Sequence, residues 1–162
     1  MPRPDYYCTW CLNLDVMKQI TAVLLIFFGL PAMACSSLKQ PTNEELFANA
    51  SSVFRARVTE AKLVVITYSS ASSKIVEVVE ARYEVKEIFK GTPPASGVVR
   101  DLPYGPGNCS LGLLPGVEYV FYPGEQDMVL LPSGSFAFIN PDGNEVKPRL
   151  EELRKLSGAI RK

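Results

Sequence analysis

Two long stretches with strand-like patterning, separated by a short polar segment, constrain most strongly what this chain can fold into. Within residues 52–66, apolar and polar side chains alternate from Phe54 to Thr59, and residues 62–66 extend the same strand candidate. Within residues 75–89, the alternation runs from Ala81 to Lys86, and its phase then slips by one residue at Phe89. A period of two is that of a half-buried strand, and a one-residue slip predicts a bulge or strong coiling. We therefore expect two long strands joined by a hairpin tip at residues 68–73.

Shorter segments with strand-like composition follow, set apart by residues that favour turns. They are residues 97–101, 117–122, 128–131 and 135–139. Asp142 and Gly143 form a dipeptide typical of hairpin turns. Together with the two long strands, these segments predict a mainly β fold that forms a small closed or partly closed barrel.

One helix is expected before the strands and one after them. Thr42 and Glu45 have the spacing of a capping box, which predicts a short helix at residues 43–49. Residues 148–160 place leucines on one helical face and charged side chains on the other. This pattern is typical of an amphipathic helix that packs on a core.

The apolar run at residues 20–30 precedes a processing motif. Its eleven residues are too few to span a bilayer as a helix, which needs about 20. Lys18 stands just before the run, and Ala32-Met33-Ala34 follows it. These are the basic, apolar and Ala-x-Ala parts of a secretory signal peptide. We expect cleavage after Ala34, export to the periplasm or the extracellular space, and Cys35 as the first mature residue.

The part of the chain before this apolar run is expected to play no role in the mature protein. Met17 followed by Lys18 is an ordinary signal-peptide start, so residues 1–16 are interpreted as an upstream extension; a genuine long n-region is the alternative. Cys8 and Cys11 form a CxxC, which in a cytosolic domain would indicate a redox pair or half of a zinc site. Since it lies upstream of the cut and has no second CxxC, we expect it to be discarded with the leader.

Lipoprotein processing is an alternative fate of the same cut, with Cys35 acylated. The sequence Ala32-Met33-Ala34-Cys35 is a poor lipobox, because Met33 is bulky where a small residue is expected and Ala32 stands where leucine is usual. In this case the chain would be tethered to a membrane.

The composition excludes several classes of chemistry. The chain contains no histidine, which rules out histidine-dependent acid–base catalysis, nucleophile activation and metal ligation. Its 17 basic and 17 acidic residues leave no net charge to attract nucleic acid. The carboxylate pairs Glu44-Glu45 and Glu151-Glu152 are interpreted as solvated helix faces. We expect no enzymatic activity, no cofactor, no metal site of its own and no nucleic-acid binding.

The order of segments resembles the netrin-like (NTR) superfamily. The resemblance rests on the signal peptide, Cys35 at the mature terminus, the short helix and residues 52–58, 83–91, 108–109 and 116–122. Within the superfamily, the chain is similar to bacterial proteins that resemble the tissue inhibitors of metalloproteinases. The resemblance covers roughly residues 35–122. It implies a five-stranded OB-type barrel at residues 35–145, with residues 146–162 forming a C-terminal helix packed on the barrel.

The resemblance also implies a disulfide and a binding mode. In the family the N-terminal cysteine pairs with a cysteine in the loop after the third strand, which implies a bridge between Cys35 and Cys109. The α-amine and carbonyl oxygen of the first residue then chelate the catalytic zinc of a target metalloproteinase. Cys35 would be that residue, Ser36 would enter the target's primary specificity pocket, and Ser37 would be a neighbouring contact. Ser37 stands where the family has a second cysteine, so a second anchoring disulfide is missing.

The expected function is therefore that of a secreted, monomeric, netrin-like module that binds a protein partner. Its sharpest form is a metalloproteinase inhibitor. A lipid-anchored cell-envelope interaction module without inhibitory activity is the alternative. The hairpin tip, residues 69–73, is either a contact loop or a plain flexible tip. One set of aromatic side chains either lines a binding groove or belongs to the core: Tyr104, Tyr119, Phe121 and Tyr122.

Overall fold

The computed structural model describes residues 41–68, 74–105 and 108–160. Within these ranges the chain is mainly β, with five strands and two α-helices. In chain order the elements are α1 (Asn43–Asn49), β1 (Val53–Tyr68), β2 (Lys74–Lys90), β3 (Ser96–Asp101), β4 (Glu118–Phe121), β5 (Phe136–Phe138) and α2 (Val146–Ile160). Two short 3₁₀ turns, Glu125–Asp127 and Leu131–Ser133, lie between β4 and β5.

The strands form one antiparallel sheet in the order β3-β2-β1-β4-β5. The sheet is open over the described residues, so the closed form of the predicted barrel is not confirmed. Over the described residues, the backbone after β4 pairs with β3 at one isolated parallel bridge, between Arg100 and Met128. In this bridge the backbone N–H of Val129 donates to the carbonyl of Arg100 at 2.8 Å.

The prediction of a strand at residues 128–131 is wrong, and the local backbone conformation explains why. Gln126 and Asp127 have φ angles of 55° and 61°, which turn the chain out of an extended path just before this segment. Pro132 then lies within a 3₁₀ turn. Only the single bridge at Met128 remains of the predicted strand.

The pairing of β1 with β2 has three register shifts. One of them lies where Val53 pairs with Lys90 and Phe54 pairs with Ile88, which leaves Phe89 as the extra residue. The bulge predicted from the slip in the sequence pattern is therefore confirmed. It turns Phe89 into the core, while Ile88 is exposed.

Hydrophobic side chains cluster on both faces of the sheet, because successive residues of a strand point to opposite sides. Phe54 and Phe121 belong to the first cluster, and their neighbours Val53 and Val120 belong to the second. The first cluster lies on the face toward which the loop before β4 folds, and it includes Leu113 of that loop. The second lies on the opposite face, against the two helices.

The two helices are fixed by local signals and by their apolar faces. The capping box of α1 is confirmed: the N–H of Glu45 donates to Thr42 Oγ1 at 3.2 Å, and the N–H of Thr42 donates to Glu45 Oε2 at 2.9 Å. At the other end of α1, Lys90 Nζ donates to the Phe47 carbonyl at 2.8 Å. Helix α2 begins at Val146, two residues before the amphipathic pattern that starts at residue 148, and joins the second cluster through buried leucines.

Several predicted features lie outside the described residues. They are the leader, the CxxC of Cys8 and Cys11, the mature terminus Cys35-Ser36-Ser37 and the hairpin tip at residues 69–73. Over the ranges that the structure describes, neither helix is both long enough and apolar enough to cross a membrane. The turn at Asp142 and Gly143 is present, but it leads into α2 rather than into a further strand.

Candidate functional site around Cys109

Of the predicted site residues, the structure describes Cys109 alone. Cys109 is half-buried in the connection between β3 and β4, which agrees with the expected loop after the third strand. Its backbone carbonyl accepts a hydrogen bond from the N–H of Leu131 at 3.2 Å. Cys35, Ser36 and Ser37 lie outside the described residues, so the predicted pairing of Cys35 with Cys109 stays a prediction.

The loop that carries Cys109 is organised by a buried carboxylate at the end of β3. Asp101 is 0% exposed. Its Oδ2 accepts hydrogen bonds from the hydroxyl of Ser110 at 3.0 Å and from the N–H groups of Leu111 and Gly112 at 2.7 and 2.9 Å. Its Oδ1 accepts from the N–H of Leu102 at 2.8 Å. Four donors from both sides of the loop therefore converge on one side chain.

This arrangement resolves the cost of placing a carboxylate in the core. A buried charge without partners is expensive, whereas several hydrogen bonds to the ionised form offset its desolvation. Burial raises the pKa of the Asp101 carboxyl above its ordinary value, and the hydrogen bonds from Gly112, Ser110, Leu111 and Leu102 oppose that rise. The Asp101 side chain therefore holds the loop in place, and because it is buried it has no exposed surface that could contact a substrate.

Tyr119 of β4 fixes the far end of the same loop. Its hydroxyl donates to the carbonyl of Gly112 at 2.9 Å and accepts from the N–H of Leu114 at 2.8 Å. Its ring stacks on Phe121, with centroids 5.3 Å apart and planes 7° from parallel. Burial raises the pKa of this phenol, so the hydroxyl stays protonated and able to donate. The loop is therefore held at residues 110–114 from two strands.

The segment just before Cys109 folds back on itself. The side-chain amide of Asn108 donates to the Pro103 carbonyl, and the Asn108 N–H donates to the Gly105 carbonyl at 3.3 Å. Asn108 Oδ1 in turn accepts from the N–H of Ser110 at 3.3 Å. Together these bonds form a compact turn that leads directly into the cysteine.

Exposed apolar side chains flank this turn. Tyr104, within the turn, is 91% exposed, and Leu131, whose N–H contacts Cys109, is 51% exposed. Of the four aromatic residues considered for a groove, Tyr104 alone is exposed, while Tyr119, Phe121 and Tyr122 are core residues. Large exposed apolar groups beside a fixed loop are typical of protein-contact surfaces.

Several charged side chains of the sheet form ion pairs. Glu118 accepts from Arg55 at 2.8 Å and from Arg57 at 3.2 Å, and Glu87 accepts from Arg154 of α2 at 2.7 Å. The two contacts of Glu118 join β1 to β4, and the contact of Glu87 joins α2 to β2. Over residues 41–68, 74–105 and 108–160, no three His, Cys, Asp or Glu side chains come close enough together to hold a metal ion.

An open cavity of about 240 Å³ lies between β2 and α2. Glu87, Phe89, Arg154 and Ser157 are among the residues that line it. Because the Arg154 guanidinium already binds Glu87, the cavity offers no uncompensated cation to a ligand. Cys109, the one predicted site residue that the structure describes, is not among the residues that line this cavity.

Sequence reasoning identified Cys109 but missed Asp101 and the hydroxyl of Tyr119. Asp101 ends a predicted strand, which is a weak signal, and its main partners are backbone N–H groups that any sequence would supply. A scan against protein-family models gives no match, and no curated protein matches the chain in sequence.

Proposed function

We propose that this chain is an exported, netrin-like protein-binding module whose mature amino terminus is Cys35, held by a disulfide to Cys109. More specifically, we propose that it inhibits a zinc metalloproteinase through the α-amine and carbonyl oxygen of Cys35. The zinc belongs to the target. This proposal rests on the resemblance of the sequence to the netrin-like superfamily.

The observation that carries the proposal is the rigid setting of the Cys109 loop. A terminus that must chelate a metal gains affinity when it is held in place before binding, because less conformational entropy is lost on association. The residues just after Cys109 are held by the hydrogen bonds that they donate to Asp101 and by the hydroxyl of Tyr119, and the N–H of Leu131 holds the Cys109 carbonyl. A disulfide to this loop would transfer that order to Cys35.

The chemistry of chelation fits a catalytic zinc site with an open coordination position. Such sites have three protein ligands and a water molecule, and the water is replaced when an inhibitor binds. The free amine and the adjacent carbonyl oxygen of Cys35 form a bidentate donor pair. Ser36 would then enter the primary specificity pocket, and Ser37 would contact its rim. With Ser37 in place of a second cysteine, one bridge alone anchors the terminus.

The finer fold assignment, an OB-type barrel, belongs to the same proposal. The strand order β3-β2-β1-β4-β5 and the parallel bridge between Arg100 and Met128 support a partly open barrel. OB folds are five-stranded and commonly only partly closed. The exposed Tyr104 and Leu131 support a protein partner at the Cys109 end of the sheet.

The test uses the full chain expressed with its own leader in an exporting host. The exported protein is purified and assayed against a panel of zinc endopeptidases. One variant carries an extra alanine between Ala34 and Cys35, placed so that it remains on the mature chain. A matched control carries the extra alanine after Lys162. We expect the wild type and the control to inhibit and the amino-terminal extension to abolish inhibition. Equal inhibition by both extended forms would exclude chelation by Cys35.

Lipid anchoring makes a different prediction for the same sample. A thioether at Cys35 uses the sulfur that the bridge requires, and N-acylation removes the amine that chelation requires. The intact mass of the exported protein separates these states. A diacylglyceryl increment on Cys35 would favour the lipid-anchored interaction module and exclude inhibition.

A further inference from the structure

We infer that Asp101 is the positioning residue that sets the redox stability of the bridge between Cys35 and Cys109. This inference rests on the proposed function, because it assumes that the bridge forms. It concerns a side chain that touches neither the zinc nor the partner and that acts only through the loop.

The hydrogen-bond pattern requires a carboxylate at this position. Both oxygens of Asp101 accept, Oδ2 from Ser110, Leu111 and Gly112, and Oδ1 from Leu102. An amide has one accepting oxygen and one donating nitrogen. An asparagine at this position could accept hydrogen bonds from one side of the loop through its oxygen. Its NH₂ group would then face an N–H donor on the other side, where an acceptor is needed.

The donors that Asp101 holds lie directly beside Cys109. Ser110 is the next residue in the chain, and Ser110 Oγ also accepts from the N–H of Gly112 at 3.2 Å. On the other side, the Cys109 carbonyl is held by the N–H of Leu131. The backbone on either side of the cysteine is thus restrained within the loop.

Such restraint bears on the equilibrium of the disulfide. Reduction of the bridge by two glutathione thiols yields the Cys35 and Cys109 thiols and one glutathione disulfide. This reaction transfers two electrons to the bridge. A cysteine that is already held in place pays less conformational entropy when the bridge closes, so the bridge resists reduction. Loosening the loop should therefore make the bridge easier to reduce.

The test measures the redox equilibrium of the exported protein in glutathione buffers, with thiols trapped and counted by mass. We expect Asp101→Asn to make the bridge about tenfold easier to reduce, which corresponds to about 30 mV for a two-electron couple. Ser110→Ala removes one of the four donors to Asp101 and the longer contact with the Gly112 N–H, which keeps its bond to Asp101, so we expect a shift of about threefold. Ser110→Ala also serves as the informative variant if Asp101→Asn does not fold.

Ser135→Ala provides the matched control. Ser135 is a buried serine that accepts from the N–H of Tyr122 at 3.0 Å, and none of its hydrogen bonds reaches the Cys109 loop. Ser135→Ala should lower stability but leave the redox equilibrium unchanged. An unchanged equilibrium in both loop variants, or an equal shift in Ser135→Ala, would overturn the role of Asp101 while leaving the bridge intact. A wild-type protein without the bridge would overturn both the inference and the anchored terminus of the proposed function.

Discussion

Oδ2 of Asp101 lies 2.7 Å from the backbone nitrogen of Leu111, ten residues further along the chain. This contact joins the end of β3 to the middle of the loop that carries Cys109. The bond lies at the short end of the N–H···O range, which is typical of a carboxylate acceptor. The loop and the sheet are therefore one structural unit at this end of the molecule.

Replacing Asp101 with alanine should destabilise the fold strongly. The substitution leaves several half-buried N–H groups without an acceptor, and each such group costs about 1–3 kcal/mol. We expect a loss of about 3 kcal/mol in the free energy of unfolding, measured by urea titration. Asp142→Ala, at an exposed turn, is the control and should change stability by less than about 0.5 kcal/mol. A small loss at Asp101 would mean that water or other groups satisfy these donors.

Tyr122 should make stability depend on pH in the alkaline range. Burial raises the pKa of its phenol from 10.0 to about 12. Between these values the unfolded chain loses the proton that the folded chain keeps, so the free energy of unfolding falls as the pH rises. The contribution of the protonated Tyr122 phenol to the free energy of unfolding is fully present below pH 10.0 and is lost as the pH rises through about 12.

Urea titrations between pH 9 and pH 11 measure the slope of the free energy of unfolding against pH. Tyr122→Phe should have a shallower slope than the wild type, while Tyr104→Phe, which removes an exposed hydroxyl, should retain the full slope. Burial also raises the pKa of Tyr83 and Tyr119, so some slope should remain in Tyr122→Phe. Identical slopes in all three proteins would contradict the raised pKa of the largely buried Tyr122 side chain.

Helix α2 should depend on its apolar face far more than on its ion pair. Leu153 is 4% exposed within the second cluster, and leucine-to-alanine changes in a core cost about 2–5 kcal/mol. Arg154 binds Glu87 at the surface, where its side chain is 47% exposed, and such pairs contribute about 0.2–1 kcal/mol. We expect thermal unfolding to show a much larger loss for Leu153→Ala than for Arg154→Ala. Similar losses would mean that the helix is held by charge.

Gly97 should not tolerate a side chain, although its backbone is ordinary for a strand. It pairs with Tyr83, and a Cβ at Gly97 would lie 2.7 Å from the Tyr83 hydroxyl and 2.9 Å from its Cζ. Because the Tyr83 ring is buried, it can move only by disturbing the core, and overpacking of this kind costs about 1–3 kcal/mol. Chemical denaturation of Gly97→Ala should show this loss, whereas Ser96→Ala at the exposed neighbouring position should be nearly neutral.

The two long strands and the two helices could be predicted because each depends on a local pattern. The alternation from Phe54, the slip at Phe89 and the capping box of Thr42 and Glu45 are all visible over a few residues. Whether the sheet closes depends instead on long-range pairing with β3, which the described residues show only as the isolated bridge at Arg100. The turn at Gln126 determines where that pairing stops, and its positive φ angle is not encoded by a glycine.

The candidate site could be predicted only in part, for a related reason. Cys109 is a rare residue type, and its place after the third strand follows from the strand count. The network around Asp101 depends on backbone donors at Leu111 and Gly112, which sequence alone does not distinguish from any other N–H groups. The hydroxyl of Tyr119 could equally have faced solvent at a strand end. Tertiary packing decided these contacts.

The central claim is that the mature chain begins at Cys35 with a free amine and that its sulfur is bonded to Cys109. Intact mass and non-reducing peptide mapping of the exported protein test this claim most directly. We predict a chain of residues 35–162 that is two hydrogens lighter than its reduced form, with the Cys35 peptide linked to the Cys109 peptide. A lipid increment on Cys35, a cut at another residue, or two separate thiols would contradict the account.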